Sequence, residues 1–191
     1  MYEVEVKVRA DLDGVRRRLD ELDATRTDAV EQRDTYYDAP HRDFAETDEA
    51  LRVRRERRVG ADEASKQGDE TTKVTYKGPL VDDSSKTREE HETVVADDEA
   101  MAGILDGLGY EPAAVVEKER TFYALGDATV TLDRVRDLGE FVEVEREATE
   151  DEVDDVRESV FETLRSLDLD PDDGIRTSYL GLLLAGDDPD D

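Results

Sequence analysis

Apolar and charged residues alternate in a series of short segments of this chain, and this period of two constrains the fold more than any other feature. Residues 2–9 open the series, with valines at one parity. The other parity carries Glu3, Glu5 and Lys7. Because successive side chains of a β-strand point to opposite faces, this segment is predicted to be a strand with one apolar and one charged face. Taken alone, it fits a half-buried strand whose charged face is solvated.

The same alternation predicts further strands, and apolar residues at helical spacing predict helices between groups of them. The predicted strands span 2–9, 30–38, 50–59, 71–78, 86–95, 114–124, 128–136 and 140–147. The predicted helices span 11–24, 97–109, 150–167 and 178–184, with Asp11 capping the first and Gly109 ending the second. Short turns between consecutive strands favour antiparallel pairing.

These elements predict an α+β fold in which a strand-helix-strands unit occurs twice. Residues 1–184 are predicted to form one domain, and residues 185–191 a disordered acidic tail. Residues 60–70 have no period and are predicted to be a mobile loop.

The polar strand faces carry cations in a chain that is otherwise strongly acidic. The net charge is −28, with 54 Asp and Glu against 26 Lys and Arg. Half of the six lysines nevertheless lie on these faces, with arginines beside them: Lys7, Lys77, Lys118, Arg52, Arg54, Arg88 and Arg120. This placement is hard to explain as solvated surface, but it fits faces that line the interior of a closed sheet of about eight strands. Such an interior needs an anion, and its arginines and lysines suit a polyphosphate.

Carboxylates on the same faces predict a metal site. Glu3, Glu5, Glu143 and Glu145 would hold one or two Mg²⁺ ions that bridge phosphate oxygens. The chain has no cysteine and only two histidines, which excludes disulfides, thiol catalysis and His-rich metal sites. Any metal is therefore expected to be a hard ion with oxygen ligands, such as Mg²⁺ or Mn²⁺.

Charge and hydropathy argue against several other partners. The strongly acidic composition disfavours binding to a nucleic-acid backbone or to an anionic membrane. No apolar run approaches the ~20 residues of a membrane span and no signal-peptide pattern is present, so we expect a cytoplasmic location. The excess of acids over lysines resembles cytoplasmic proteins of halophiles, in which molar salt shortens the Debye length to about 3 Å and makes self-repulsion tolerable.

The motifs and their order resemble the CYTH superfamily, which includes class IV adenylyl cyclases, thiamine triphosphatases and related triphosphate tunnel metalloenzymes. Glu3-x-Glu5-x-Lys7 is similar to the ExExK signature of that group. Further motifs follow in the family's order over residues 1–184: TYYDAP (35–40), ALRVR (50–54), TYKGP (75–79), Arg88-x-Glu90-x-Glu92, EKER (117–120), LDRV (132–135), GEFVEVE (139–145) and SYLGLL (178–183). The resemblance implies an eight-stranded antiparallel closed β-tunnel with helices packed outside.

The resemblance also implies roles for individual residues. The implied metal ligands are Glu3, Glu5, Asp133, Glu143 and Glu145. The implied triphosphate-binding residues are Lys7, Arg52, Arg54, Lys77, Arg88, Lys118 and Arg120. Glu3, Glu5, Lys7, Glu143 and Glu145 are the expected catalytic group, and a homodimer is suggested.

Three functions fit these residues. The first is a cyclase that converts ATP to cyclic AMP and pyrophosphate, and the second is a hydrolase of thiamine triphosphate, tripolyphosphate or a nucleoside triphosphate. The third is a module that binds a nucleotide or polyphosphate without turnover, although carboxylates for a metal are superfluous in a pure anion binder. Many class IV cyclases carry a His-Phe pair near the start, and this chain has no such pair.

Overall fold

Eight strands form one antiparallel sheet within residues 2–59, 70–80 and 88–186, which the computed structural model describes. The strands are β1 (Tyr2–Arg9), β2 (Thr25–Asp38), β3 (Ala50–Arg58), β4 (Glu70–Leu80), β5 (Arg88–Val95), β6 (Glu111–Leu125), β7 (Ala128–Val135) and β8 (Gly139–Ala148). Their order across the sheet is β1-β8-β7-β6-β2-β3-β4-β5. The prediction of an eight-stranded antiparallel sheet with helices is confirmed.

Five α-helices accompany these strands within the described residues, three of them between strands and two after β8. They are α1 (Leu12–Glu21), α2 (Phe44–Thr47), α3 (Asp98–Gly107), α4 (Val153–Ser166) and α5 (Tyr179–Gly186). Short 3₁₀ turns cover Glu150–Glu152 and Pro171–Asp173. None of the described helices is long and apolar enough to cross a membrane.

Several predicted boundaries differ from those in the structure. Strand β2 begins at Thr25 rather than at residue 30. Strand β4 was predicted to end at Gly78, but it continues through Pro79 to Leu80. The β4–β5 register shifts between Lys77 and Leu80, and a proline, which has no amide N–H, is tolerated in a strand at such an irregularity. Of the predicted loop over 60–70, only Glu70 is described, and it begins β4. Of the predicted tail over 185–191, residues 185 and 186 belong to α5 and the rest lies outside the described residues.

The first compact unit combines Met1–Ala29 with Lys118–Asp191. Its core joins the valine face of β1 and β8 to one face of α1 and α4, through Val8, Val142, Leu19 and Leu164. Helix α1 begins where predicted, because the carboxylate of Asp11 accepts hydrogen bonds from the amides of residues 13 and 14. With the valines of β1 packed against helices, the side chains of Glu5 and Lys7 lie on the opposite face of the sheet.

The second compact unit spans Val30–Glu117 and packs α3 against its strands. Its core contains Tyr37, Val53 and Leu105, with Met101 beside them. Of the apolar residues whose helical spacing predicts this helix, Met101 and Leu105 pack in this core, whereas Ile104 and Leu108 do not. Ile104 and Leu108 are 55% and 64% exposed, since residues 101 and 105 already fill the contact with the sheet.

Candidate functional site

The charged face of the first unit holds a buried group of side chains that we call the Arg120 cluster. Its members are Lys7, Lys118, Arg120, Asp133, Glu143 and Tyr179. Strand register brings them together, since Lys7 pairs with Glu143 across β1–β8 and Arg120 with Asp133 across β6–β7. Directly opposite residues of an antiparallel pair share a face, so the alternation in the sequence places all five strand residues on one face.

Arg120 is the centre of this cluster. Its Nε donates to Asp133 Oδ1 at 2.7 Å and its Nη2 donates to Glu143 Oε2 at 2.5 Å. A further bond joins Nη2 to Asp133 Oδ2, so the guanidinium contacts Asp133 through two nitrogens. Asp133 is fully buried and Glu143 is 6% exposed. Charge-assisted bonds of this kind are the strong ones, and two carboxylates on one guanidinium fix its plane.

The charges of Arg120 and Asp133 shift each other's pKa values toward the ionised forms. Burial lowers the pKa of Arg120, but the negative charges of Glu143 and Asp133 outweigh burial and raise that pKa well above its usual value. Burial raises the pKa of Asp133, but Arg120 and, more weakly, Lys118 and the Tyr179 hydroxyl outweigh it and lower the pKa. Burial and the two neighbouring carboxylates raise the pKa of Tyr179, so its hydroxyl keeps its proton and donates to Asp133 Oδ2 at 2.7 Å.

A row of carboxylates continues from this cluster along the same face. Glu5 lies directly opposite Glu145 in the β1–β8 register, and Glu143 is two residues from Glu145 on β8. Carboxylate oxygens suit Mg²⁺ and Mn²⁺, so the donor chemistry of Glu5, Glu143 and Glu145 fits such an ion. Among the described residues, however, no three carboxylates converge closely enough to form a metal-binding group. Binding would therefore require Glu143 to exchange Arg120 for the ion, or Glu3, whose side chain is not described, to complete the set.

Asp133 is a poorer candidate ligand than Glu143 in the conformation seen. Both of its oxygens accept hydrogen bonds from Arg120, and Oδ2 also accepts the Tyr179 hydroxyl. Its position on the site face agrees with strand parity, and its assignment as a metal ligand stays a prediction.

The charged face of the second unit holds a separate group that we call the Asp34 cluster. Its members are Asp34, Arg52, Arg54, Lys73, Thr75, Lys77, Glu90 and Glu92. Asp34 is 1% exposed and accepts two hydrogen bonds of 2.6 Å from Nε and Nη2 of Arg54. Arg52 Nη1 contacts the same carboxylate at 3.4 Å, while the Nε of Arg52 is buried with no hydrogen-bond partner.

The lysines of the Asp34 cluster are also paired with carboxylates. Lys73 Nζ lies 3.2 Å from Glu92 and Lys77 Nζ lies 2.8 Å from Glu90. Thr75, fully buried between them on β4, donates to Glu92 at 2.9 Å. Burial raises the pKa of Glu92, but the Thr75 hydroxyl and Lys73 outweigh it and lower the pKa. Four cations and three carboxylates thus share one sheet face.

The structure groups most of the predicted site residues into one or other cluster. The first contains Lys7, Lys118, Arg120, Asp133 and Glu143, and the second contains Arg52, Arg54 and Lys77. The side chains of Glu3 and Arg88 fall outside the described residues. The assigned roles of all these residues stay predictions.

The clusters also contain residues that sequence reasoning did not assign to the site: Asp34, Lys73, Thr75, Glu90, Glu92 and Tyr179. Asp34 lies directly opposite Arg54 in the β2–β3 register and therefore on the same sheet face. Applying to β2 the alternation of faces that was applied to the other strands could have identified it. Tyr179 lies at the start of a short apolar helix, and nothing in its neighbourhood of the sequence indicates that it reaches a charged cluster.

The family model described as the CYTH domain matches residues 1–179. The chain belongs to the CYTH family. A protein of Methanocaldococcus jannaschii, named as a candidate adenylate cyclase, is 39% identical over 184 residues, which is 95% of this chain and 98% of that protein. Enzymes of the CYTH family are adenylyl cyclase-like or triphosphatases, act on small-molecule triphosphates and use divalent metal ions.

Solved structures agree with the family in fold. The PH1819 protein from Pyrococcus horikoshii superposes with a TM-score of 0.83 at 36% identity, covering 97% of this chain and 99% of that one. A Hippeastrum protein, described as an adenylyl cyclase candidate with a dominant triphosphatase activity, superposes with a TM-score of 0.66. Its identity is 18% over 97% of this chain and 96% of that one, so this likeness concerns the fold alone.

Proposed function

We propose that this chain is a divalent-metal-dependent enzyme that converts ATP to cyclic AMP and pyrophosphate. The observation that carries the proposal is the burial of cations on sheet faces in a protein of net charge −28. Lys7, Lys118 and Arg54 are each less than 10% exposed. Several cations on one sheet face suit the closely spaced negative charges of a polyphosphate, which arginine and lysine bind through charge-assisted hydrogen bonds. The 39% identical relative named as a candidate adenylate cyclase supports ATP as the substrate.

The proposal assigns separate tasks to the carboxylates and to the cations. Glu5, Glu143 and Glu145 would hold the metal ion, with Glu3 as a further ligand and Asp133 beside them. A bound divalent ion neutralises charge on phosphate oxygens and lowers the pKa of an oxygen nucleophile. In the first unit, the cations of the Arg120 cluster would bind triphosphate oxygens through charge-assisted hydrogen bonds. For the second unit, the proposal keeps the predicted triphosphate-binding role of Arg52, Arg54, Lys77 and Arg88.

Cyclisation requires little covalent chemistry from the protein. The ribose 3′-oxygen attacks the α-phosphorus, the bond from this phosphorus to the bridging oxygen breaks, and pyrophosphate leaves while the 3′-hydroxyl proton goes to solvent. Positioning and charge stabilisation are the main requirements of such a step. The cations on the polar strand faces would supply the charge stabilisation.

A triphosphate hydrolase is the second candidate, in which water attacks the terminal phosphorus of the same bound chain. The same fold also carries the triphosphatase activity described for the Hippeastrum protein.

Product identification tests the proposal directly. The purified chain is incubated in molar KCl with Mg²⁺ or Mn²⁺ and ATP, and the products are identified by mass spectrometry. Cyclic AMP with pyrophosphate supports the cyclase, whereas ADP and phosphate, or turnover of thiamine triphosphate or tripolyphosphate alone, support the hydrolase. Binding of ATP without any product would contradict both enzymes and favour a binding module.

Matched variants test the residue assignments. We expect Glu5→Gln, Glu143→Gln and Lys77→Met each to lower kcat by about 100-fold or more, as losses of electrostatic stabilisation in active sites do. Arg17→Ala, on the exposed face of α1, is the control and should leave the rate unchanged. Rates within twofold of the unmodified protein for all three variants would show that the site is elsewhere.

A further inference from the structure

Tyr179 contacts more members of the Arg120 cluster than its place on a short C-terminal helix suggests. It is the first residue of α5 and is 7% exposed. Its ring lies under the ammonium groups of two lysines, with Lys7 Nζ 4.3 Å and Lys118 Nζ 5.1 Å from the ring centroid. Its hydroxyl donates to Asp133, the carboxylate that holds Arg120.

The position of Tyr179 is fixed from two sides. The ring of Phe141 on β8 meets it edge-on, with 5.0 Å between the ring centroids. Just before α5, the backbone N–H of Ile175 donates to the carbonyl of Lys7 at 2.7 Å, which ties the chain leading into the helix to the strand that carries that lysine. Both contacts lie within the first compact unit.

The ring solves a physical problem that the two lysines create. Their ammonium groups lie against the same ring, and Lys7 and Lys118 are only 4% and 8% exposed, so their mutual repulsion is weakly screened. The face of an aromatic ring carries negative electrostatic potential and attracts cations within about 6 Å. The ring of Tyr179 therefore attracts both ammonium groups and offsets part of the repulsion between them.

We infer that Tyr179 is a positioning residue for triphosphate binding, which places Lys7 and Lys118 through its ring and Arg120 through Asp133. This inference rests on the proposed function, because it concerns the placement of cations that a triphosphate-binding enzyme requires. Tyr179 acts through other side chains and is not itself a catalytic residue. The two contacts are chemically separable, because the ring and the hydroxyl can be removed one at a time.

Equilibrium binding of tripolyphosphate, measured by calorimetry, tests the inference. Tyr179→Leu removes the ring and the hydroxyl together. It should weaken binding about tenfold or more, because two cation–π contacts are lost with the ring. Tyr179→Phe keeps the ring and should recover most of that loss, leaving a smaller defect from Arg120. Tyr123→Leu, which removes another buried tyrosine of the same unit, is the control and should leave the affinity within twofold.

The outcomes separate a positioning role from a merely structural one. Affinity within twofold of the unmodified protein for a folded Tyr179→Leu variant, or an equal loss for Tyr123→Leu, overturns the inference. If Tyr179→Leu does not fold, stepwise fluorinated phenylalanine at position 179 replaces it. Fluorine weakens the attraction of the ring for cations at nearly constant shape, so affinity should fall with each fluorine, and an unchanged affinity overturns the inference.

A second readout distinguishes this inference from the proposed function. Ring currents should shift the Cε-proton NMR signals of Lys7 and Lys118 upfield, and Tyr179→Leu should abolish the shift. If Tyr179→Leu abolishes the shift but the unmodified protein does not bind tripolyphosphate, the proposed function is refuted while the contacts of Tyr179 stand. If Tyr179→Leu leaves the lysine signals unchanged, the inference is refuted even if tripolyphosphate binds.

Discussion

At the scale of single residues, Asp34 shows how this chain tolerates charge in its interior. A carboxylate that is 1% exposed is stable only if charge and hydrogen bonds compensate its lost hydration. Arg54 supplies two short bonds and Arg52 a longer contact. Asp34 therefore fixes the guanidinium of Arg54 and holds that of Arg52 nearby, in the way that Asp133 and Glu143 fix Arg120.

Asp34→Asn should destabilise the protein strongly. The substitution keeps the shape of the side chain but leaves two nearly buried guanidinium groups without their carboxylate, so we expect the free energy of unfolding to fall by about 3–5 kcal/mol. Urea unfolding followed by circular dichroism measures the loss. Asp38→Asn, at the exposed end of the same strand, is the control. Equal effects of the two substitutions would show that the Asp34 pairs contribute nothing specific.

At the scale of elements, the alternation of residues predicted which face of each strand carries charge, but it could not predict what those charges contact. The alternation of apolar and charged residues predicted that Lys7, Arg120 and Glu143 lie on polar strand faces. Only the register of the strands shows that Arg120 is bound by two carboxylates, because register depends on hairpin geometry and on the packing of the opposite face. Tyr179 was beyond prediction for the same reason, since its contacts depend on where α5 docks.

The β7–β8 hairpin depends on an unusual backbone conformation at Gly139. Its φ of +103° is unfavourable for any residue with a Cβ atom. An added Cβ would meet only Arg9 Nη1 at 3.6 Å, so the cost of Gly139→Ala is conformational rather than steric. We expect a loss of about 1–2 kcal/mol in the free energy of unfolding, measured by thermal or urea denaturation.

Gly103→Ala is an opposite-sign control for this prediction. Gly103 lies inside α3, and an added Cβ would meet nothing within 4 Å. Alanine should therefore stabilise the helix by about 0.5–1 kcal/mol. If Gly139→Ala were as stabilising as Gly103→Ala, backbone conformation would not limit the hairpin.

At the scale of the whole molecule, the distribution of charge is uneven. The chain carries 28 more negative than positive charges, yet the most buried lysines and arginines gather in two clusters on sheet faces. The surplus acids are consequently concentrated among exposed side chains, where they repel one another. Such self-repulsion destabilises a compact state and is reduced by salt.

The stability of this protein should therefore increase with salt. The Debye length falls from about 10 Å at 0.1 M to about 3 Å at 1 M, so repulsion among surface carboxylates should weaken over that range while the buried Arg120 and Asp34 pairs are screened much less. We expect Tm, measured by calorimetry, to rise by several degrees between 0.1 and 2 M KCl. Replacing Asp20, Asp38, Asp106 and Asp151 by asparagine neutralises four exposed acids and should make the rise smaller. A Tm that is unchanged by KCl, or a rise that is identical in this variant, would show that surface repulsion does not limit stability and that the acidic surface needs another explanation.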